Sequence, residues 1–109
     1  METLEAVPYL SSNGELRLKI WCPYCRIWHV HGFQEGNKGA HCWKTDSPWY
    51  GKGYILKMSD EGRRDAETLR EFYKKGRMPR FHATAEVKNG KVKVKKFQER
   101  NYENDYKSD

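Results

Sequence analysis

The sequence predicts a small α+β domain of short antiparallel strands, with one helix over about residues 60–75 and a C-terminal β-hairpin over about 83–97. Three observations predict it. All three cysteines and three of the four histidines fall between Cys22 and Cys42. Residues 59–76 carry a helix start signal, an apolar stripe and a stop signal. Valine and alanine alternate with lysine and glutamate on both sides of Asn89-Gly90. The first pattern makes the domain zinc-stabilised, of zinc-knuckle or ribbon-like type, because clustered thiols and imidazoles are zinc's preferred donors.

At 109 residues the chain has room for one domain, expected over 1–100, with residues 101–109 a polar tail expected to lack fixed structure. Leu, Ile, Val and Phe supply only 18 of 109 residues, which is close to the composition of disordered chains. Two features counter this. Aromatic residues make up 14% of the chain, and each buried ring removes a large area from water. A structural zinc adds folding free energy on the order of 10 kcal/mol. The net charge of +6 and the pI of 9.3 favour nucleic acid, an anionic membrane or an acidic protein surface as partner. No apolar run is long enough to span a membrane, and the acidic Met1-Glu-Thr-Leu-Glu5 start lacks a signal-peptide pattern. Three clustered cysteines suit a reducing compartment, so a cytoplasmic location is expected.

In chain order, residues 4–10 read as a short edge strand interrupted by Pro8, and Ser11 to Gly14 as a turn. Leu16, Leu18 and Ile20 then alternate with Arg17, Lys19 and Trp21, a half-buried strand that delivers the chain to Cys22. After Cys25 the alternation resumes, with Ile27, His29 and His31 on one face and Trp28 and Val30 on the other. Residues 32–40 contain three glycines and read as a flexible loop; Tyr54 to Lys57 reads as a strand. Ser59 is a helix N-cap followed by Asp60 and Glu61, whose charge suits the helix dipole. Ala66, Leu69, Phe72 and Tyr73 form the apolar stripe, and Glu71 and Lys75 are spaced to pair at i, i+4. Gly76 and Pro79 end the helix. A two-residue turn at Asn89-Gly90 pairs Lys88 with Lys91, Val87 with Val92, Glu86 with Lys93 and Ala85 with Val94. A slip of one residue would scramble apolar and charged faces.

Cys22-Pro-Tyr-Cys25 places two thiolates on a tight turn, close enough to share one ion. Cys42 is the expected third ligand and His31 the expected fourth, with His29 and His41 as alternates. If residues 41–42 are extended, His41 and Cys42 point to opposite faces and only one can bind. The tetrapeptide is similar to the active site of glutaredoxins, but there the first cysteine starts a helix that lowers its pKa, whereas here the following residues alternate like a strand. A zinc deaminase needs His-x-Glu with Pro-Cys-x-x-Cys; here the proline lies inside the pair and His29-Val-His31 lacks the glutamate.

Cys-Pro-Tyr-Cys, the following His-x-His-Gly, Ala40-His41-Cys42 and Gly53-Tyr54-Ile55-Leu56 together resemble a group of small zinc-ribbon-like proteins of bacteriophages and actinobacteria, over roughly residues 21–56. The resemblance implies a metal fold and a phage or mobile-element origin. The usual ribbon has two Cys-x2-Cys knuckles, and this chain has one plus a His-Cys pair.

The four tryptophans, Trp21, Trp28, Trp43 and Trp49, surround the metal motif. Three are expected in the core, and Trp49, within Ser47-Pro-Trp-Tyr-Gly51, is the expected exposed contact. Lys88, Lys91, Lys93 and Lys95 line one hairpin face, with Arg77 and Arg80 nearby in sequence. At about 7 Å on alternate residues, such charges suit a phosphate backbone. The expected function is therefore that of a small basic zinc protein, not an enzyme, that binds DNA or RNA or regulates a nucleic-acid machine, its zinc structural. The alternative is an interaction module that inhibits a host polymerase or a CRISPR-type defence complex; a metal-dependent nuclease comes third.

Overall fold

The computed structural model describes residues 1–79 and 83–96. Its strands are β1 (Thr3–Glu5), β2 (Val7–Ser11), β3 (Leu16–Cys22), β4 (Ile27–Gly32), β5 (Gly36–Gly39), β6 (Gly53–Lys57), β7 (Ala83–Lys88) and β8 (Lys91–Lys96), and its helix is α1 (Asp60–Lys74). An α+β fold with one helix is as expected, but sheet dominates it. The described residues form a five-stranded antiparallel sheet in the order β4-β3-β2-β7-β8 and a three-stranded sheet in the order β1-β6-β5. This is more than a ribbon with a helix and a hairpin attached.

The N-terminal extended stretch serves both sheets. Thr3 to Glu5 pair in parallel with Ile55 to Lys57, and from Val7 onward the chain pairs with β3. The switch falls at Ala6, whose N–H bonds the Lys57 carbonyl at 3.0 Å. The expected edge strand is thus split: β1 is an edge of the small sheet, whereas β2 lies inside the five-stranded sheet. Pro8 is tolerated because β7 pairs only with Leu10 and Ser11, so the sheet is one-sided where the proline's missing N–H would matter. The expected loop at 32–40 contains β5, which pairs with β6 through Gly36↔Leu56 and Gly39↔Gly53. Close backbone approach explains Gly53, where a Cβ would lie 2.4 Å from the Lys38 carbonyl oxygen, and a φ of +114 explains Gly36.

Alternation in β3 buries Leu18, Ile20 and Cys22 and leaves Arg17, Lys19 and Trp21 partly exposed. The buried face carries two apolar clusters. Near β3 and β4 it meets Ala6, Trp49, Tyr54, Leu56 and Met58, so the small sheet covers that end. Near β2 and β7 it meets α1, where Leu10, Leu69 and Ala85 are the buried centre, flanked by Phe72, Val87 and Val92. Ser59 caps α1 by accepting from Gly62 N–H at 3.0 Å, and Gly76 at φ +68 terminates it. Glu71 pairs with Lys74 at 3.7 Å, one residue before the expected Lys75, whose own N–H closes the helix on the Glu71 carbonyl. The Tyr73 ring, although largely exposed, lies against the Ser11–Gly14 turn.

The hairpin pairs in the register expected, from Lys88↔Lys91 through Ala85↔Val94 and on to Ala83↔Lys96. Asn89 and Gly90 both have positive φ, as a type I′ turn requires. Phe97, Arg80 and the expected tail at 101–109 lie outside the described residues.

Candidate metal centre

The knuckle forms where β3 ends and β4 begins. Arg26 N–H bonds the Cys22 carbonyl at 2.7 Å, and Cys25 N–H points at Cys22 Sγ at 3.3 Å. The turn closes with Arg26 at φ +59, a left-handed conformation that a non-glycine residue adopts only when its surroundings hold it there. Because β4 returns antiparallel, with Ile27 opposite Cys22 and His29 opposite Ile20, the His29 ring comes back beneath the knuckle. Cys42 arrives from the irregular segment 40–52 that joins β5 to β6.

These four side chains converge. The ligand atoms of Cys22, Cys25, His29 and Cys42 all lie within 4.8 Å of one another, and only Cys42 among them is not fully buried. A tetrahedral zinc site has edges of about 3.8 Å between sulfurs and about 3.6 Å between sulfur and nitrogen, given bond lengths near 2.3 and 2.0 Å. Here Cys22 Sγ to Cys42 Sγ is 3.7 Å and Cys42 Sγ to His29 Nε2 is 3.5 Å. The donor set and its spacing therefore fit a single ion. Ser47 Oγ donates to Cys42 Sγ at 3.2 Å and accepts from Trp49 N–H at 3.2 Å, tying the irregular segment to the site.

The fourth member of the group is His29, one of the two alternates, and not His31. Strand rise is the reason. Each residue advances about 3.3 Å, so His31 stands two rises further from the knuckle than His29, on the same face. His31 is satisfied elsewhere: its Nε2 lies 2.6 Å from the Tyr54 hydroxyl. His41 is exposed and tilts against the His31 ring at a centroid distance of 4.2 Å. With Cys42 turned toward Cys22 and His29, the neighbouring His41 side chain is left exposed.

Burial, and then the proximity of His41, hold the His29 imidazole below its usual pKa, so it is neutral and competent to bind a cation at pH 7. Burial, followed by His41, His29 and Lys38, lowers His31 to about 4. Tyr54 is pushed up by burial first and by Cys42 next, so its hydroxyl stays protonated and shares a hydrogen bond with His31 Nε2. Burial drives the Cys42 thiol up to about 12, against the Ser47 hydrogen bond that lowers it. For Cys25 burial again raises, but backbone hydrogen bonds from Lys44 and Trp43, with Cys22 and Cys42, outweigh it and the thiol falls below its usual value. Loop backbone thus favours ionisation of one thiol, whereas Cys42 needs a cation to lose its proton.

The tryptophans are arranged differently from expectation. Trp49 is 6% exposed, its ring edge-on to Tyr24 and Tyr54 and its Nε1 donating to Glu2 Oε1 at 3.0 Å. Trp43, 52% exposed, is the outward one, and Trp21 and Trp28, also expected in the core, are only half-buried, meeting each other edge-on at 5.7 Å. A sign of this was present in the sequence, since Trp43 adjoins a ligand that must point inward.

Lys88, Lys91, Lys93 and Lys95 lie on the face of the large sheet opposite α1, with β8 as its edge strand. Lys88, Lys93 and Lys95, with Thr84 and Glu86, line a depression of about 300 Å³. Glu86 is neutralised by Lys19 at 2.8 Å, and Lys19 also sits 4.4 Å over the Trp28 ring. Arg77 is exposed just past the helix, its N–H bonded to the Phe72 carbonyl at 3.5 Å. Arg80 lies outside the described residues. No described helix is long and apolar enough to cross a membrane. No protein-family model, curated protein or solved structure matches this chain.

Proposed function

We propose that this chain is a non-catalytic zinc protein that binds nucleic acid, with Cys22, Cys25, His29 and Cys42 holding a structural zinc ion. The observation that carries the zinc assignment is the pair of 3.7 and 3.5 Å edges within a buried Cys3His group. Soft thiolates with one imidazole favour zinc over magnesium or calcium. Four protein ligands close the tetrahedron and leave no position for a reacting water, which argues against a nuclease or other hydrolase. When bound, the ion supplies cross-linking of β3, β4 and the 40–52 segment. The chain's own part is to present a neutral His29, a Cys25 thiol held below its usual pKa and a Ser47 hydroxyl that orients Cys42.

The nucleic-acid half of the proposal rests on the exposed lysines of β7 and β8. Lysine on an edge strand also blocks unwanted strand pairing, so charge there has a second use. Four lysines on one face, with the nearby Glu86 already neutralised, exceed what edge protection needs. Binding through them weakens steeply with salt as counterions are released. The test has two parts. Elemental analysis should give one zinc per chain, absent in Cys22→Ser. Lys91→Glu with Lys93→Glu should abolish salt-sensitive binding to oligonucleotides. A folded, metal-free wild-type protein would defeat the zinc assignment. No binding at low salt would defeat the nucleic-acid assignment and leave an interaction module for an acidic protein surface.

A further inference from the structure

The large apolar side chains left exposed among the described residues are few, and three of them are aromatic rings at the metal end: Tyr24, Trp43 and Tyr50, at 40%, 52% and 47% exposure. Tyr24 stands in the knuckle itself, between Cys22 and Cys25. Trp43 and Tyr50 belong to the segment 40–52, which has neither helix nor strand. Long irregular segments in compact domains are commonly functional, because folding alone gives no reason to retain them.

The rings are seated on a rigid base. Tyr24 meets the buried Trp49 edge-on at 5.3 Å, and Trp43 meets the His29 ring edge-on at 6.3 Å. Successive tight turns, with Ser47 N–H on the Lys44 carbonyl and Tyr50 N–H on the Ser47 carbonyl at 3.1 Å each, hold the segment. The buried Trp49 pins it from below, so the next residue, Tyr50, faces outward. Lys44 and Lys52, both exposed, flank the rings. A half-exposed tryptophan contributes little to a core, and three such rings beside lysines on a chain of net charge +6 have a chemistry of their own. Rings stack on bases without regard to sequence, and ammonium groups neutralise the backbone between them.

We propose that Trp43, Tyr50 and Tyr24 form a stacking site for unpaired bases, and that Lys44 and Lys52 hold the adjoining phosphates. This rests on the nucleic-acid reading above and narrows it to single strands. Rings exposed on a loop stack on a base only when it is free of its own stack. The lysine face of the hairpin, by contrast, meets phosphates of any strand. The metal centre is what holds Trp43 in place, one residue from a ligand.

The test uses the zinc-loaded chain with oligo-dT, oligo-rU and a duplex of the same length, read by anisotropy at several salt concentrations. Binding to one or both single strands should exceed binding to the duplex, and the two oligomers separate DNA from RNA as the source of the bases. Trp43→Ala should weaken single-strand binding about tenfold, with duplex binding, salt slope, zinc content and circular dichroism unchanged. Trp43→Phe should restore most of the loss, which a purely structural effect would not do. If Trp43→Ala disturbs folding, Tyr50→Ala supplies the same comparison from the other side of Trp49. Single-strand binding that is undiminished in both variants, while Lys91→Glu with Lys93→Glu still abolishes it, overturns the stacking site and leaves the nucleic-acid reading intact. Duplex bound as tightly as single strands overturns it too. Absence of any binding at low salt removes both readings together.

Discussion

The two ends of this molecule are held by different means. At the helix end, Leu10, Leu69 and Ala85 form a small aliphatic core beneath α1, and β7 and β8 extend it by simple alternation. At the metal end Cys22, Cys25, Trp49 and Tyr54 are buried together with Leu18, Ile20, Leu56 and Met58, with His29 and His31 alongside, and the connection between β5 and β6 has no regular structure. A ring-to-ring chain joins Tyr24, Trp49, Tyr54, His31 and His41 around the site. The difference shows how a chain poor in aliphatic residues can still close a domain. At the helix end a few aliphatic side chains suffice. At the metal end thiols and aromatic rings enlarge a core that Leu18, Ile20, Leu56 and Met58 only begin.

The comparison predicts an unequal response to losing the ion. Chelation, or Cys22→Ser, should remove on the order of 10 kcal/mol of apparent stability from the metal end. Trp49 should become exposed and its fluorescence shift to the red, while far-ultraviolet helix signal from α1 persists to higher chelator concentration. Simultaneous loss of both signals would show that the two ends fold as one unit. The converse variant, Leu69→Ala, empties a fully buried site beneath the helix and should cost about 2–5 kcal/mol in denaturant titration. Zinc content of the folded protein should be unaffected; a loss of metal in this variant would tie the ends together.

A third effect is confined to the metal end and depends on pH. His31 has a folded pKa of about 4 against an ordinary 6.5, so the unfolded chain takes up the proton first. Stability is unaffected above about pH 6.5 and falls as pH drops from there toward 4, by up to about 3 kcal/mol. Replacing His31 by Gln should flatten this part of the pH–stability curve, measured as the difference from wild type so that ligand protonation cancels. An unchanged curve would mean that burial does not keep the imidazole neutral in the folded chain. The smallest effect belongs to the helix end: Ser59→Ala removes the cap on Gly62 N–H and should cost about 1 kcal/mol.

Legibility divides along the same line. The helix from Ser59 to Gly76 and the register of the hairpin could be read from residues a few positions apart, because capping, dipole and turn chemistry act over that range. The metal centre was legible in kind, since Cys22, Cys25 and Cys42 stand together as expected. Its fourth member was not. Choosing between His29 and His31 requires the pairing of β3 with β4, two residues of register that place one ring under the knuckle and the other against Tyr54. The glycine-rich stretch was misread for a related reason: Gly36 to Gly39 form a strand only because β6 lies alongside, and glycine itself carries no strand preference.

Composition and local pattern were enough to establish a basic α+β chain with its helix, its hairpin and three thiols gathered at one candidate metal site. Tertiary packing settled which histidine joins them, which tryptophan is left outside, and how one extended N-terminal stretch divides between two sheets. Local chemistry acts within a turn or a strand, where neighbouring residues suffice to state it. Exposure and ligation depend on which distant surface arrives opposite each side chain, so Trp43 and Trp49 exchange their expected places once Glu2, Tyr24 and Tyr54 close around the second.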